Sequence, residues 1–194
     1  IQARLLRSGK SVTSIESRLI QNDALCAAAI GSFGADRDSI IELPPADCRE
    51  MTGPDEALEL PYIDGLTPAF TRHFNYRWAV GDFPFSGGSG KELGGWINFR
   101  EPVSCLTEEW LIALADAWPT PVLSKLKEVT AASTMTWTLE FVHLDRTTCS
   151  ENDWWANYCE VDSAERGYAH ERSMIWDPQG QLAVFSHQTI TVFG

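Results

Sequence analysis

Ala132-Ser133-Thr134-Met135-Thr136-Trp137-Thr138-Leu139-Glu140-Phe141 decides the fold class of this chain. Met135, Trp137, Leu139 and Phe141 alternate with Thr134, Thr136, Thr138 and Glu140. A period of two is what a half-buried strand produces, and its length predicts a strand over 129–143. Working back, residues 107–118 predict one amphipathic helix. Thr107 stands at the N-cap, Glu108 and Glu109 fall in the first turn, and Pro119 and Pro121 end it. Trp110, Leu114 and Trp118 share a face of that helix, with Leu111 beside them. Working forward, 154–162 and 166–193 read as further long strands, the second a hairpin about Asp177-Pro178-Gln179-Gly180.

The first part of the chain adds strands but no helix. Residues 11–20 and 24–33 flank the turn Gln21-Asn22-Asp23. Residues 42–69 read as a linker, with five prolines and little periodicity. Phe70 to Val80 and Gly95 to Arg100 read as strands, and Ser86-Gly87-Gly88-Ser89-Gly90 as a flexible loop. One helix among long antiparallel strands implies an α+β architecture, a curved sheet wrapped around the helix.

Composition narrows the function. The 194 residues are 44% hydrophobic and carry a net charge of −12. A chain this acidic, with no basic stripe, argues against nucleic-acid binding. No apolar run is long enough for a membrane-spanning helix. Cys26, Cys48, Cys105, Cys149 and Cys159 show no metal-type spacing, and His73, His143, His170 and His187 are scattered. These read as free thiols in a reducing, cytoplasmic setting and as surface or packing histidines, with no metal and no cofactor. Ser86–Lys91 is not a phosphate-binding loop: Phe85 stands where the first glycine belongs, and Glu92 follows Lys91.

An internal repeat is visible. The hairpin tip and apolar strand around Leu25 match those around Leu182, an offset of 157 residues that also brings Gly9 within one position of Gly167. On this alignment 1–41 is the C-terminal half of a first repeat and 70–194 a complete second one. The missing half predicts a longer natural chain, with roughly 87 residues before Ile1.

The stretch 132–141, then Asp153-Trp154-Trp155, Arg166-Gly167, Asp177-Pro178-Gln179-Gly180-Gln181-Leu182-Ala183 and Gln188, resembles the C-terminal half of the acyl-CoA thioesterase II family. Leu6-Arg7-Ser8-Gly9-Lys10-Ser11 resembles that family's Arg-x-Gly-Arg-Ser segment. The resemblance implies a double hot-dog fold with its first repeat incomplete here. It implies an acyl-CoA substrate, a role in lipid metabolism, and a homo-oligomer formed through sheet edges. It places the family's catalytic Asp, Thr and Gln on Asp116, Thr134 and Gln188. Met135-Thr136 and Thr189-Ile190 depart from the family's usual Asp-His and Glu-Gly.

The residues suit that chemistry. A carboxylate, a hydroxyl and an amide brought together hold and deprotonate a water, which hydrolyses an activated thioester without a metal. Asp has poor helix propensity and lies in the last turn, where the dipole opposes its charge. Gln188 interrupts an apolar strand face formed with Leu182, Val184, Ile190 and Val192. Trp110, Leu114 and Trp137 are the candidate lining of an acyl tunnel. Gly31 occupies the first-repeat position of Gln188, so one active site per chain is expected. Two alternatives stay open: a hot-dog dehydratase or hydratase, and a non-catalytic acyl-thioester-binding module.

Overall fold

The first thirty-four residues form three strands, β1 (Gln2–Ser8), β2 (Val12–Gln21) and β3 (Ala24–Gly34), in an antiparallel meander. The β2–β3 tip is a two-residue turn with Asn22 at φ 50° and Asp23 at φ 61°. Positive φ at both central positions matches the right-handed twist of the flanking strands. In this computed structural model, residues 1–103, 107–142 and 153–193 are described. Cys105, His143 and Cys149 lie outside them. The chain divides into two units, Ile1–Pro44 and Pro45–Gly194.

The second unit is a seven-stranded antiparallel sheet ordered β4-β5-β6-β8-β9-β10-β7. Its strands are β4 (Leu58–Leu60), β5 (Phe74–Val80), β6 (Glu92–Phe99), β7 (Ala132–Phe141), β8 (Trp155–Glu165), β9 (Tyr168–Trp176) and β10 (Leu182–Val192). The helix, α1, covers Glu108–Ala117. Pairing is irregular at Trp78/Val80, Val161/Ser163, Leu182/Val184 and Thr189/Ile190. Such bulges bend a strand and increase its twist.

α1 lays Leu111, Leu114, Ala115 and Ala117 on one sheet face, against Phe74, Tyr76, Ile97, Phe99, Trp155, Ile175 and Val184. Its C-terminal end is fixed by two devices. The Tyr76 hydroxyl donates to the Ala117 carbonyl at 3.0 Å, pairing one of the helix's open acceptors. Gly95 lets the sheet come close, since a Cβ there would lie 2.0 Å from the Arg77 carbonyl oxygen and 3.0 Å from the Trp118 indole.

Four sequence expectations change. Thr107 is the N-cap residue, but its hydroxyl makes no capping hydrogen bond. Trp110 is not on the buried stripe; it is 42% exposed at its flank, edge-on to Phe99 with centroids 5.1 Å apart. The stretch 42–69 is not structureless: it contains β4, and Cys48 and Met51 pack on the sheet face opposite the helix, where the Trp176 and Trp96 indoles donate to Ala46 and Thr52. Its prolines hid a segment that fills an aromatic surface. Ser86–Gly90 is held rather than loose, since Gly87 and Gly88 donate to Leu126 and Ser124 and the Lys125 ammonium donates to Ser89 and Gly90.

Candidate active site

The edge strand β7 does not keep the strict alternation its sequence suggests. Gln188 of β10 pairs with Trp137 and Thr189 with Thr136, but Ile190 pairs with Thr134. Met135 is therefore an extra, unpaired residue, and the phase of the strand flips there. Residues opposite each other in a ladder share a face, as do residues two apart on one strand. Gln188 and Ile190 share the helix-covered face, so Trp137 and Thr134 share it too. Without the bulge Thr134 would point away. With it, the Thr134 hydroxyl donates to Gln188 Oε1 at 2.9 Å. Thr134 is exposed and Gln188 half-buried, so the pair sits at the rim of the site.

Asp116 lies in the last turn of α1. It keeps contact with solvent, yet the protein around it desolvates the carboxylate and raises its pKa. Among the described residues no cation or hydrogen-bond donor offsets this. Nor does Asp116 bond directly to Thr134 or Gln188. Its charge is felt by the nearby Tyr76 phenol, which burial first and Asp116 second push far above its ordinary value.

The apolar candidates divide. Leu114 is fully buried in the main core, and Trp137 and Leu139 pack against the same cluster. The Trp137 indole donates to the Ser186 hydroxyl at 2.9 Å, which fixes the ring beside Gln188 on β10. Trp110 stands apart at the flank of the helix.

The structure adds Glu171. On β9 it lies directly opposite Gln188 in the ladder, and opposite Val161 on the other side. It is 7% exposed, and its carboxylate accepts from the Thr120 hydroxyl at 2.5 Å. Burial drives its pKa up to about 7, although hydrogen bonds from Thr120 and the Cys159 thiol pull the other way. Its sequence signal is its face: Glu171 shares period two with Ala169, Ser173 and Ile175, a small and apolar face on which a carboxylate is out of place. Among the described residues no three His, Cys, Asp or Glu side chains converge as a metal site requires.

Among the described residues, one α-helix lying on one face of a long antiparallel sheet, with a polar pair at the rim, places unit Pro45–Gly194 in the hot-dog class of α+β folds. Residues 45–192 match the family described as acyl-CoA thioesterase C-terminal domain, and the chain belongs to that family. It is similar to a hot-dog protein of unknown function from Alicyclobacillus acidocaldarius, at 18% identity and TM-score 0.84, covering 100% of this chain and 72% of that one. A tesB protein of Mycobacterium avium subs paratuberculosis is 15% identical, with TM-score 0.78 over 100% of this chain and 71% of the other. The acyl-CoA thioesterase II TesB2 of Mycobacterium marinum is 14% identical, with TM-score 0.74 over 98% and 72%. At these identities the likeness is one of fold. No curated protein matches the chain.

Proposed function

We propose that this chain hydrolyses an acyl-CoA thioester to CoA and a carboxylic acid by direct attack of water. The observation that carries the reading is the Thr134–Gln188 hydrogen bond, made across a bulge on the helix-covered face of a family domain. Thr134 gives its hydrogen to Gln188 Oε1, so its lone pairs accept from a water while Gln188 Nε2 donates. Asp116 takes the proton as the water oxygen bonds to the thioester carbon and the C–S bond breaks. Desolvation raises the basicity of Asp116, which suits it to that step. The Gln188 Nε2–H, or a backbone N–H, meets the charge that develops on the carbonyl oxygen. The acyl chain lies between helix and sheet along Leu114 and Trp137, with Trp110 at the entrance. Association through the open edge of β7 would form the homo-oligomer and place a partner beside the rim.

The test is CoA release over a series of acyl chain lengths, for wild type and Asp116→Asn. Turnover lost in the variant with acyl-CoA binding retained supports the enzyme and its base. Binding without turnover in both identifies a binding module instead. Turnover unchanged in Asp116→Asn removes Asp116 from the mechanism.

A further inference from the structure

An amide side chain is nearly symmetric in shape, so something must decide which end of Gln188 faces Thr134. The Thr134 hydroxyl both donates and accepts and pairs with either end equally well. The other neighbouring strand offers a group that can decide it. There, directly across the ladder on the same face, stands Glu171. Opposed side chains in an antiparallel pair sit roughly 5 Å apart at Cβ. A carboxyl group at that distance favours the N–H₂ end of the amide toward itself and the oxygen toward Thr134, which is the orientation seen. Glu171 is in turn fixed by Thr120, four residues beyond Asp116, and by the Cys159 thiol of β8.

We propose that Glu171 is a positioning residue that sets the orientation of the Gln188 amide, and so tells the site which end of Gln188 meets water and thioester. The inference rests on the hydrolytic reading above for its kinetic consequence, but not for its structural one. An orienting carboxylate whose pKa burial has raised to about 7 also makes the amide's environment change near neutrality. Around Glu171, β8 presents Cys159, β10 presents Gln188 and the segment after α1 presents Thr120. His170 and Arg172 alternate onto the opposite face of β9. Cys159 is the one other titratable group among those neighbours, and burial holds its thiol well above the ordinary range, so it stays protonated near pH 7.

Two readouts test this on the full chain. In kinetics, Glu171→Met is expected to lower kcat about tenfold with KM within about twofold, and to add less than about twofold in a Gln188→Ala background, since coupled residues are non-additive. Glu171→Gln, which restores a polar partner, is expected to recover part of the loss. Losses that simply multiply in the double variant would overturn the proposal. In NMR, the Gln188 side-chain amide resonances are expected to move in Glu171→Met while the other glutamine amides stay put; unmoved Gln188 resonances would overturn it. Should Glu171→Met not fold, the wild-type Gln188 amide is titrated instead. A midpoint near 7 supports the proposal, and a flat response from pH 5 to 9 defeats it. If wild type hydrolyses no thioester, the hydrolytic reading fails alone, and the NMR arm still decides the role of Glu171.

Discussion

The meander β1–β2–β3 and the meander β8–β9–β10 share one backbone plan. Both run antiparallel through two hairpins, and each is closed by a matching bond, Ala35 N–H to Ser11 O and Val192 N–H to Gly167 O. They differ in what the plan carries. Gly31 lies opposite Ile15, whereas Gln188 lies opposite Glu171. Leu25, Ile30 and Phe33 are 59–70% exposed, whereas Leu182, Val184 and Ile190 are 4% exposed or less. One frame sets a glycine against an isoleucine and leaves these apolar side chains bare; the other is covered and holds a polar pair at the edge of its core. In the proposed reading, strand pairing supplies a register and the side chains placed on one face of that register supply the chemistry.

The comparison is broken most severely by giving the second meander the residue of the first. Gln188→Gly is expected to cost about 10²–10³ in kcat, the usual scale for removing one oriented donor. The reciprocal Gly31→Gln is expected to create no activity, because Ile15 and not a carboxylate lies opposite it. A steady-state assay of both variants checks this.

Burial sharpens the contrast next. Leu114→Ala removes a fully buried side chain and is expected to cost about 2–5 kcal/mol of unfolding free energy. Ile30→Ala, at 70% exposure, is expected to stay within about 0.5 kcal/mol. Urea denaturation of each variant measures the difference.

Glu171 also gives the second unit a pH dependence opposite in sign to that of Glu16 in the first, whose pKa the hydrogen bond from Arg18 lowers. Glu171 holds its proton up to about 7 in the folded chain but only to an ordinary glutamate value when unfolded. Between those values the folded state binds more protons, so stability falls as pH rises, by about 3 kcal/mol across the window. Asp116, raised for the same reason, pulls in the same direction. Unfolding midpoints at pH 5 and pH 8 should differ less in Glu171→Gln than in wild type.

Much of this was legible in the sequence, for a physical reason. Turn residues and apolar or β-branched runs mark strands, so 12–21, 24–34 and 155–165 lie within a few residues of their expected bounds. The helix was marked by its acids, its apolar spacing and its prolines. Three things were not legible. A bulge leaves no trace in alternation, so Thr134 and Trp137 read as opposite faces although they share one. A large indole counts as apolar wherever it falls on the helix, so the spacing alone puts Trp110 on one face with Leu114 and Trp118, whereas it stands at the flank. Glu171 is masked in the sequence by its charged and polar neighbours Arg172 and His170, and only the ladder shows that it turns inward beside Gln188.

The smallest effect concerns the hairpin tips. The Asp177 carboxylate caps its turn by accepting from the N–H groups of Gln179 and Gln181 at 2.9 and 2.8 Å. Asp177→Ala should cost about 1 kcal/mol. The tip of the first meander has no such cap, and Asp23 sits at φ 61°. Asp23→Gly should gain a few tenths to about 1 kcal/mol by removing left-handed strain at a turn that favours Asn-Gly. Thermal melts resolve the sign of each.

The most direct test of direct water attack is a single turnover of an acyl-CoA in ¹⁸O-water. If Asp116 deprotonates a water held by Thr134 and Gln188, the first acid released carries one ¹⁸O and the peptide containing Asp116 carries none. Unlabelled acid from that first turnover, with the label left on Asp116, would show that the carboxylate attacks the thioester itself and would contradict the account.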